Sequence, residues 1–342
     1  MPPAIRVENL EKDYGDVRAL KGLDLEVPEG SFFGLLGPNG AGKTTFINVL
    51  VGLVRKTGGT AEVFGHDVED EYREARDAIG LAPQEFNVDR FFPIHEVLEH
   101  KAGYHGVSAD EAERRAQDAL ETVGLADKAD TRFDWLSGGM KRRFMLARAM
   151  VTDPDILILD EPTAGVDVEL RHDLWELITD LNDAGTTILL TTHYIEEAER
   201  LCDEVAIIDQ GRKITVATPA ELMDRGTDTL TLTLAQAATE TPTIEDDRVD
   251  QVSVEGDSLV LRTASGSEVA PAAIRQLEAQ GHRVVDLDVA RTSLEEVFVD
   301  LTRTGDIDAA AEDARKGLDA TRASETESST TDESGQASEV SQ

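Results

Sequence analysis

The sequence predicts an α/β fold in which a largely parallel sheet is covered by helices. Short apolar runs have the length and composition of strands that are buried on both faces; they lie at residues 32–36, 156–159, 187–190 and 205–208. Helical stretches separate these runs, and an alternation of strands and helices is typical of a parallel sheet.

The N-terminal segment predicts antiparallel strands beside that sheet. Ile5, Val7 and Asn9 fall on one face of a strand with a period of two, and the same alternation returns at residues 23–27. We therefore expect an antiparallel β subdomain near the N-terminus.

Residues 86–150 are predicted to be mostly helical and to form a helical subdomain. Ser108 and Glu111 have the spacing of a capping box, in which each side chain binds a backbone amide of the other residue. This pair predicts the start of one of the helices.

The sequence pattern changes near residue 226, and the residues beyond that point predict a small α+β domain. Leucines alternate at 230–234, a helix is expected from about 271 to Gly281, and the strand RVVDLDV comes next. Ser293 and Glu296 then form a second predicted capping box before the last helix. After about residue 304 large apolar residues are almost absent, which predicts disorder. The predicted divisions are therefore 1–225, 226–303 and 304–342.

The chain is extremely acidic, with 69 acidic and 33 basic residues and a formal net charge of -36. The predicted tail holds ten of the acids and three of the bases, so most of the excess lies in the folded part. A hydrated carboxylate surface of this size is typical of proteins that stay soluble at very high salt, where screening weakens self-repulsion. The charge also argues against nucleic acid as a partner.

Nothing in the sequence predicts a membrane span or a disulfide. Cys202 is the only cysteine, which suits a reducing cytosol. The start, MPPAIRVENL, lacks the pattern of a signal peptide, and no apolar run approaches the ~20 residues that a spanning helix needs. We expect any membrane role to depend on a partner.

A glycine-rich segment directly after the strand at 32–36 matches the P-loop pattern. Its residues are Gly37, Pro38, Asn39, Gly40, Ala41, Gly42, Lys43, Thr44 and Thr45. In such loops the backbone N–H groups surround phosphate oxygens, and the following helix points its positive end at the same anion. Lys43 is expected to reach the β- and γ-phosphates, and Thr44 is expected to bind Mg²⁺.

Two further segments predict chemistry on the same nucleotide. The apolar strand at 156–159 ends in Asp160, which suits Mg²⁺ binding, and Glu161, which suits a general base for the attacking water. Ser137, Gly138 and Gly139 open a helix and predict a second anion site. Because one P-loop already holds the phosphates, the second site suggests a second subunit that shares the nucleotide.

Together these motifs resemble the nucleotide-binding domain of ABC transporters over residues 4–218. The resemblance implies an ABC-type P-loop fold in which the signature LSGGQ of one subunit closes over ATP bound by the other. Met140 replaces the last residue of that signature, and we expect little effect because backbone and serine make the contacts.

The resemblance also implies roles for four residues that would pass as structural if taken alone. Tyr14 corresponds to the aromatic residue that stacks on adenine, and Gln84 to the glutamine that contacts Mg²⁺ or its water and senses the membrane subunit. Asp167 corresponds to the D-loop aspartate at the dimer interface, and His193 to the switch histidine at the γ-phosphate. ATP and Mg²⁺ are the implied cofactors.

Segments 191–199 and 293–302 resemble the ABC-2 branch, whose members are mostly exporters with membrane domains on a separate chain. This implies an ABC-2 permease as one partner, a second copy of the ATPase as another, and a place at the cytoplasmic face of the membrane. An assembly ATPase and a non-catalytic scaffold stay open as alternatives. The single P-loop argues against translation-factor relatives, which carry two, and the chain has no room for the coiled coil of DNA-repair relatives.

Overall fold

The computed structural model describes residues 3–238 and 241–303. One compact unit, Met1–Phe298, contains all the strands described below, and the described part of the second unit, Val299–Gln342, ends with the last helix at Arg303. The predicted disordered tail at 304–342 lies outside the described residues.

The described residues form strands β1 (Ile5–Tyr14), β2 (Val17–Val27), β3 (Phe32–Leu36), β4 (Gly58–Val63), β5 (His66–Asp67), β6 (Ile79–Ala82), β7 (Ile156–Asp160), β8 (Thr187–Thr192), β9 (Glu204–Asp209), β10 (Arg212–Ala217), β11 (Asp228–Leu234), β12 (Val249–Glu255), β13 (Ser258–Thr263) and β14 (Val284–Ala290). They also form helices α1 (Lys43–Leu50), α2 (Tyr72–Asp77), α3 (Ile94–Tyr104), α4 (Ala109–Thr122), α5 (Gly138–Met150), α6 (Val168–Asp183), α7 (Ile195–Leu201), α8 (Pro219–Met223), α9 (Gly266–Ala279) and α10 (Leu294–Arg303). Two short 3₁₀ helices lie at Ala126–Lys128 and Phe133–Trp135.

The central sheet has six strands in the order β10-β9-β3-β8-β7-β6, and all its neighbours are parallel except β10 and β9. Every residue of β3, β7 and β8 is buried, as the continuous apolar runs predict. Leu36 pairs with Thr192, and Asp160 pairs with Thr191. The carboxyl ends of these three strands therefore meet at one edge of the sheet.

A four-stranded antiparallel sheet, in the order β2-β1-β4-β5, confirms the predicted β subdomain. Asn9 differs from prediction because it is exposed, and Leu10 is buried in its place. The backbone of Asn9 has a φ of 47°, and the pairing with β2 shifts register between Val7 and Leu10. A bulge of this kind moves every later side chain to the opposite face, which alternation alone does not reveal.

Helices α3, α4 and α5 pack against one another and form the predicted helical region. Ser108 precedes α4 as predicted, but its side chain makes no capping hydrogen bond. The capping box is therefore wrong at this helix. The Glu111 carboxylate instead accepts hydrogen bonds from Arg114 at 2.6 Å and Arg115 at 2.8 Å, and these charged donors compete with the backbone amide.

The C-terminal strands form an antiparallel sheet in the order β12-β13-β11-β14, with α9 packed on its leucine face. Helix α9 begins at Gly266, earlier than predicted, because burial of Val269 and Ala270 extends the helix toward its N-terminus. Pro271 therefore lies inside the helix. The second capping box is confirmed, since Ser293 and Glu296 each accept a hydrogen bond from the other's amide at 3.3 Å.

The division near residue 226 stays a prediction, and two separate apolar clusters lie on its two sides in the sequence. One lies between the N-terminal and central sheets, and the other lies under α9. Among the described helices, none is both long and apolar enough to cross a bilayer. Cys202 is a buried free thiol, and burial raises the pKa of that thiol.

Candidate functional site

The P-loop at 37–45 connects β3 to α1 and lies close to neighbouring backbone. A Cβ atom on Gly37 would lie 2.4 Å from the carbonyl oxygen of Ile208. Gly42 has a φ of 109°, and a Cβ there would lie 2.9 Å from the carbonyl oxygen of Ala19. Only glycine fits either position, so the sequence folds here into a tight loop that leads into the N-terminus of α1.

Lys43 begins α1, and its ammonium group turns back into the loop. Its Nζ donates hydrogen bonds to the carbonyl oxygens of Gly37 at 2.5 Å and Pro38 at 3.2 Å, and the residue is buried. Burial lowers the pKa of Lys43, while the nearby carboxylates of Glu161 and Asp160 raise it. The arrangement holds a positive charge beneath the loop in which an anion would be bound.

Asp160 ends β7 as a buried carboxylate. Its Oδ1 accepts a hydrogen bond of 2.5 Å from the hydroxyl of Thr191 on the neighbouring strand β8. The pKa of Asp160 is raised above its usual value, mainly by burial and also by the charge of Glu161. The hydrogen bond from Thr191 and the charge of Lys43 oppose this rise. The Thr191 hydrogen bond therefore holds the carboxylate close enough to Lys43 for each charge to affect the pKa of the other group.

Glu161 follows Asp160 in an uncommon backbone conformation, with a φ of 49°. Its amide donates to the carbonyl oxygen of Thr191 at 3.0 Å, which holds the residue in that conformation. The carboxylate accepts a hydrogen bond from the amide group of Gln84 at 2.7 Å and lies 3.1 Å from Nδ1 of His193. Glu161 thus contacts two other residues that are predicted to act on the nucleotide.

These residues open into a cleft of about 940 Å³. Its lining includes most of the predicted site, namely Tyr14, Pro38, Asn39, Gly40, Ala41, Gly42, Lys43, Thr44, Thr45, Gln84, Glu161 and His193. Arg18, Lys21 and Gln210 also line the cleft, although sequence reasoning missed them. Lys21 lies in β2, where its amide donates to the carbonyl oxygen of Gly211 at 2.8 Å, a long-range pairing that no local pattern signals.

Tyr14 lines the cleft from the last position of β1. Its side chain is 45% exposed, and the ammonium group of Lys12 lies 4.8 Å from the ring centroid. One face of an exposed aromatic ring of this kind is available for stacking on another ring.

The predicted signature residues line a different cleft, of about 690 Å³. Ser137 caps α5 and accepts a hydrogen bond from the amide of Met140 at 3.3 Å, so the cap uses only the backbone of Met140. A Cβ on Gly138 would meet no atom within 4 Å, whereas one on Gly139 would lie 2.4 Å from the side chain of Leu170. Gly138 therefore faces open space, and Gly139 is packed within the chain.

Asp167 lines the same second cleft and caps α6. Its Oδ1 accepts a hydrogen bond from the amide of Leu170 at 2.9 Å. No described residue lines both clefts, and the prediction was that the signature of one copy closes over ATP bound by the P-loop of another. Within one copy of the chain, Ser137, Gly138, Gly139 and Asp167 are therefore not brought to the P-loop.

Arg142 lies in α5 and contacts segments that are distant in the sequence. Its guanidinium group donates to the carbonyl oxygens of Gln84 at 2.8 Å and Ala164 at 3.1 Å, and it lies 4.8 Å from the ring of Phe86. Burial lowers the pKa of Arg142, and Glu161 opposes this effect. The side chain ties the segment of Gln84 to the turn after Glu161, and only tertiary packing brings those carbonyls to it.

Comparison with known proteins agrees with this geometry. Residues 20–164 match the family described as ABC transporter. The Nod factor export ATP-binding protein I of Burkholderia orbicola (strain AU 1054) is 47% identical over 220 residues, which are 64% of this chain and 72% of the relative. This chain belongs to the family of ABC transporter ATP-binding proteins. The protein of the same description in Cupriavidus metallidurans is 46% identical over 224 residues, or 66% and 74% of the two chains.

Solved structures of ABC ATPases resemble the cassette. The ATP-binding cassette MJ0796, in a dimeric post-hydrolysis state bound to ADP and Pi, matches with a TM-score of 0.58 and 27% identity, over 63% of this chain and 98% of that one. CbiO1 from Clostridium perfringens, part of the ABC transporter complex cbiONQ, matches with a TM-score of 0.60 and 28% identity, over 66% and 92%. The protein is thus an ABC ATPase with the α/β cassette that its sequence predicts.

Proposed function

We propose that this ABC ATPase forms a dimer around two ATP molecules and drives export by a separate ABC-2 membrane subunit. The observation that carries the dimer is the separation of the two clefts. The P-loop cleft and the signature cleft share no lining residue among the described residues of one chain, so a second copy would supply the missing half of each site. The dimeric state of the MJ0796 cassette with ADP and Pi supports a dimer here as well.

In each site the phosphates would lie against the P-loop amides and Lys43, with Tyr14 stacked on adenine. The partner copy would contribute Ser137 and Gly138 at the N-terminus of α5, while Asp167 would lie at the dimer interface. Phosphoryl transfer needs positioning and the neutralisation of negative charge more than covalent chemistry from the protein. A buried ammonium group beside two carboxylates fits that requirement.

Glu161 is the proposed general base, and its contacts support the assignment. A carboxylate with Gln84 on one oxygen and His193 on the other has a fixed orientation, as a base for an attacking water requires. His193 would contact the γ-phosphate, and Gln84 would report the state of the site to the membrane subunit. A non-catalytic scaffold would have no need for three side chains arranged in this way.

The residues present fit Mg²⁺. Thr44 offers a hydroxyl, Asp160 a buried carboxylate and Gln84 an amide oxygen, and Mg²⁺ prefers such oxygen ligands together with substrate phosphates. Within the described chain no group of three or more His, Cys, Asp or Glu side chains could hold a metal alone, so nucleotide oxygens would complete the set. The bound ion would neutralise charge on the phosphates.

Exposed aromatic side chains in the segments that follow Gln84 and precede Ser137 support docking on a membrane subunit. Phe91 is 80% exposed and Trp135 is 73% exposed. Their segments are adjacent, because Arg90 forms an ion pair of 3.6 Å with Asp134. Exposed apolar groups of this size mark interaction surfaces. A partner at this surface would place the ATPase at the cytoplasmic face of the membrane, and the export relatives favour transport over an assembly role.

Capture of the membrane subunit tests this proposal. Tagged full-length protein, extracted from its native membranes with detergent, is expected to co-purify with a multi-pass protein that has no ATP site of its own. Phe91→Ser is expected to lower that yield by about threefold or more, since aromatic anchors carry much of an interface. The ATPase rate of the isolated protein should stay unchanged.

Leu53→Ser is the matched control, because Leu53 is equally apolar and 72% exposed but lies after α1. It should leave the yield of the membrane protein unchanged. Recovery of soluble assembly factors without any membrane protein would refute the transport proposal and favour the assembly ATPase.

A further inference from the structure

Outside the cleft, α7 carries a carboxylate that is fully buried. Glu197 has an exposed fraction of 0%, and burial of a carboxylate is costly unless its bonds offset the lost hydration. Its Oε1 accepts two hydrogen bonds of 2.9 Å, one from the hydroxyl of Thr163 and one from the indole N–H of Trp175. Its Oε2 has no hydrogen-bond partner among the described residues. One oxygen therefore carries both contacts.

The two donors belong to segments that carry proposed site residues. Thr163 lies in the turn after Glu161, where the amide of Ala164 donates to the carbonyl oxygen of Glu161 at 3.2 Å. Trp175 lies in α6, the helix that Asp167 caps. Both donors are buried, with exposed fractions of 0% and 2%. Oε1 of Glu197 thus connects the turn that follows Glu161 to α6, the helix that Asp167 caps.

Glu197 itself lies in the first turn of α7, the helix that follows His193, so the same contact reaches a third segment. A second link runs in parallel at the surface. The guanidinium group of Arg171, in the first turns of α6, lies 4.8 Å from the ring of Tyr194, and that ring lies 4.2 Å from the ring of His193. Helices α6 and α7 are therefore coupled at two places.

We propose that Glu197 is a positioning residue that keeps Glu161, His193 and α6, the helix capped by Asp167, in fixed positions relative to one another. The inference rests on the proposed roles of Glu161 and His193. When the cleft closes on ATP, these groups would move together and keep their mutual geometry. Small displacements of reacting groups reduce rates strongly while leaving substrate contacts intact. Loss of the Glu197 acceptor should therefore lower kcat and leave the KM for ATP unchanged.

Three variants of the full-length protein test the proposal by steady-state ATP hydrolysis in molar KCl. Glu197→Leu keeps the volume but removes the acceptor, and we expect kcat to fall by about tenfold or more with KM within about twofold. Glu197→Gln keeps an oxygen acceptor and should retain kcat within about threefold. Thr163→Val removes one donor at constant shape, and we expect a loss of about three- to tenfold.

Ile178→Ala is the control for general destabilisation, because Ile178 is fully buried in α6 one turn beyond Trp175. Thermal unfolding is measured for every variant. The proposal is overturned if Glu197→Leu keeps the wild-type kcat, if Glu197→Gln loses as much as Glu197→Leu, or if Ile178→Ala with an equal drop in Tm loses as much kcat. If Glu197→Leu does not fold, Thr163→Val decides, and a wild-type kcat for that variant overturns the proposal.

Glu161→Gln, assayed in parallel, separates this inference from the proposed function. Normal turnover by Glu161→Gln would refute the role of the general base itself. Loss of turnover in Glu161→Gln, together with normal turnover in Glu197→Leu and Thr163→Val, would refute only the positioning role.

Discussion

Replacing Glu161 by Gln is expected to lower the rate of ATP hydrolysis by about 10²- to 10⁴-fold, the usual contribution of a general base. The amide keeps the size of the side chain and one oxygen acceptor, so the bond from Gln84 can persist, but it does not take up a proton at neutral pH. ATP binding should survive, because Lys43 and the P-loop amides are untouched. The variant should therefore accumulate as an ATP-bound dimer.

Single-turnover hydrolysis and light scattering with ATP in molar KCl measure both effects. Glu196→Gln is the matched control, since Glu196 is an exposed acid in α7 and should behave as wild type. Turnover of Glu161→Gln above about a tenth of the wild-type rate would contradict the assignment of the base.

Replacing Lys43 by Met is expected to abolish most ATP binding. The ammonium group is buried and desolvated beneath the loop, and loss of a buried charged partner costs about 2–5 kcal/mol. That cost corresponds to a loss of about 30-fold or more in affinity. Methionine preserves the length of the aliphatic chain, so the packing of α1 should change little.

Calorimetric titration with ATP measures the affinity. Lys21→Met is the matched control, because Lys21 lines the same cleft but lies in β2, outside the P-loop. We expect that variant to bind ATP within about threefold of wild type. Equal losses in the two variants would mean that general positive charge in the cleft, and not the lysine of the P-loop, determines binding.

Most of the site could be predicted because its residues follow strand ends within short motifs. The P-loop that holds Lys43 and the residue Glu161 come directly after buried strands, and parallel strands place such positions at one edge of a sheet. The structure brings them together with Gln84 and His193 in one cleft. For these residues the local sequence pattern is sufficient to predict that they belong to the site.

Residues whose position depends on distant partners could not be predicted. Arg142 follows the signature on a helix that looks solvated, yet its two acceptors lie 58 and 22 positions away in the sequence. Glu197 belongs to an acidic stretch that is typical of a surface, yet its two donors, Thr163 and Trp175, lie 34 and 22 positions away and meet it in the interior. Asn9 illustrates the same limit for strands, because a bulge is invisible to alternation.

The central claim is that each ATP site is built from two copies of the chain, and mixing two inactive variants tests it most directly. Gly138→Asp adds a negative charge where a side chain meets open space, so the chain itself should fold normally and only the shared site should fail. Lys43→Met disables the other half of the site. Each variant alone should be nearly inactive.

A mixed dimer, however, contains one site in which both halves are intact. We expect an equal mixture of Lys43→Met and Gly138→Asp to recover up to about a quarter of the wild-type rate, since about half of the dimers are mixed and each has one working site. A mixture that is no more active than the average of its two components would contradict the shared site.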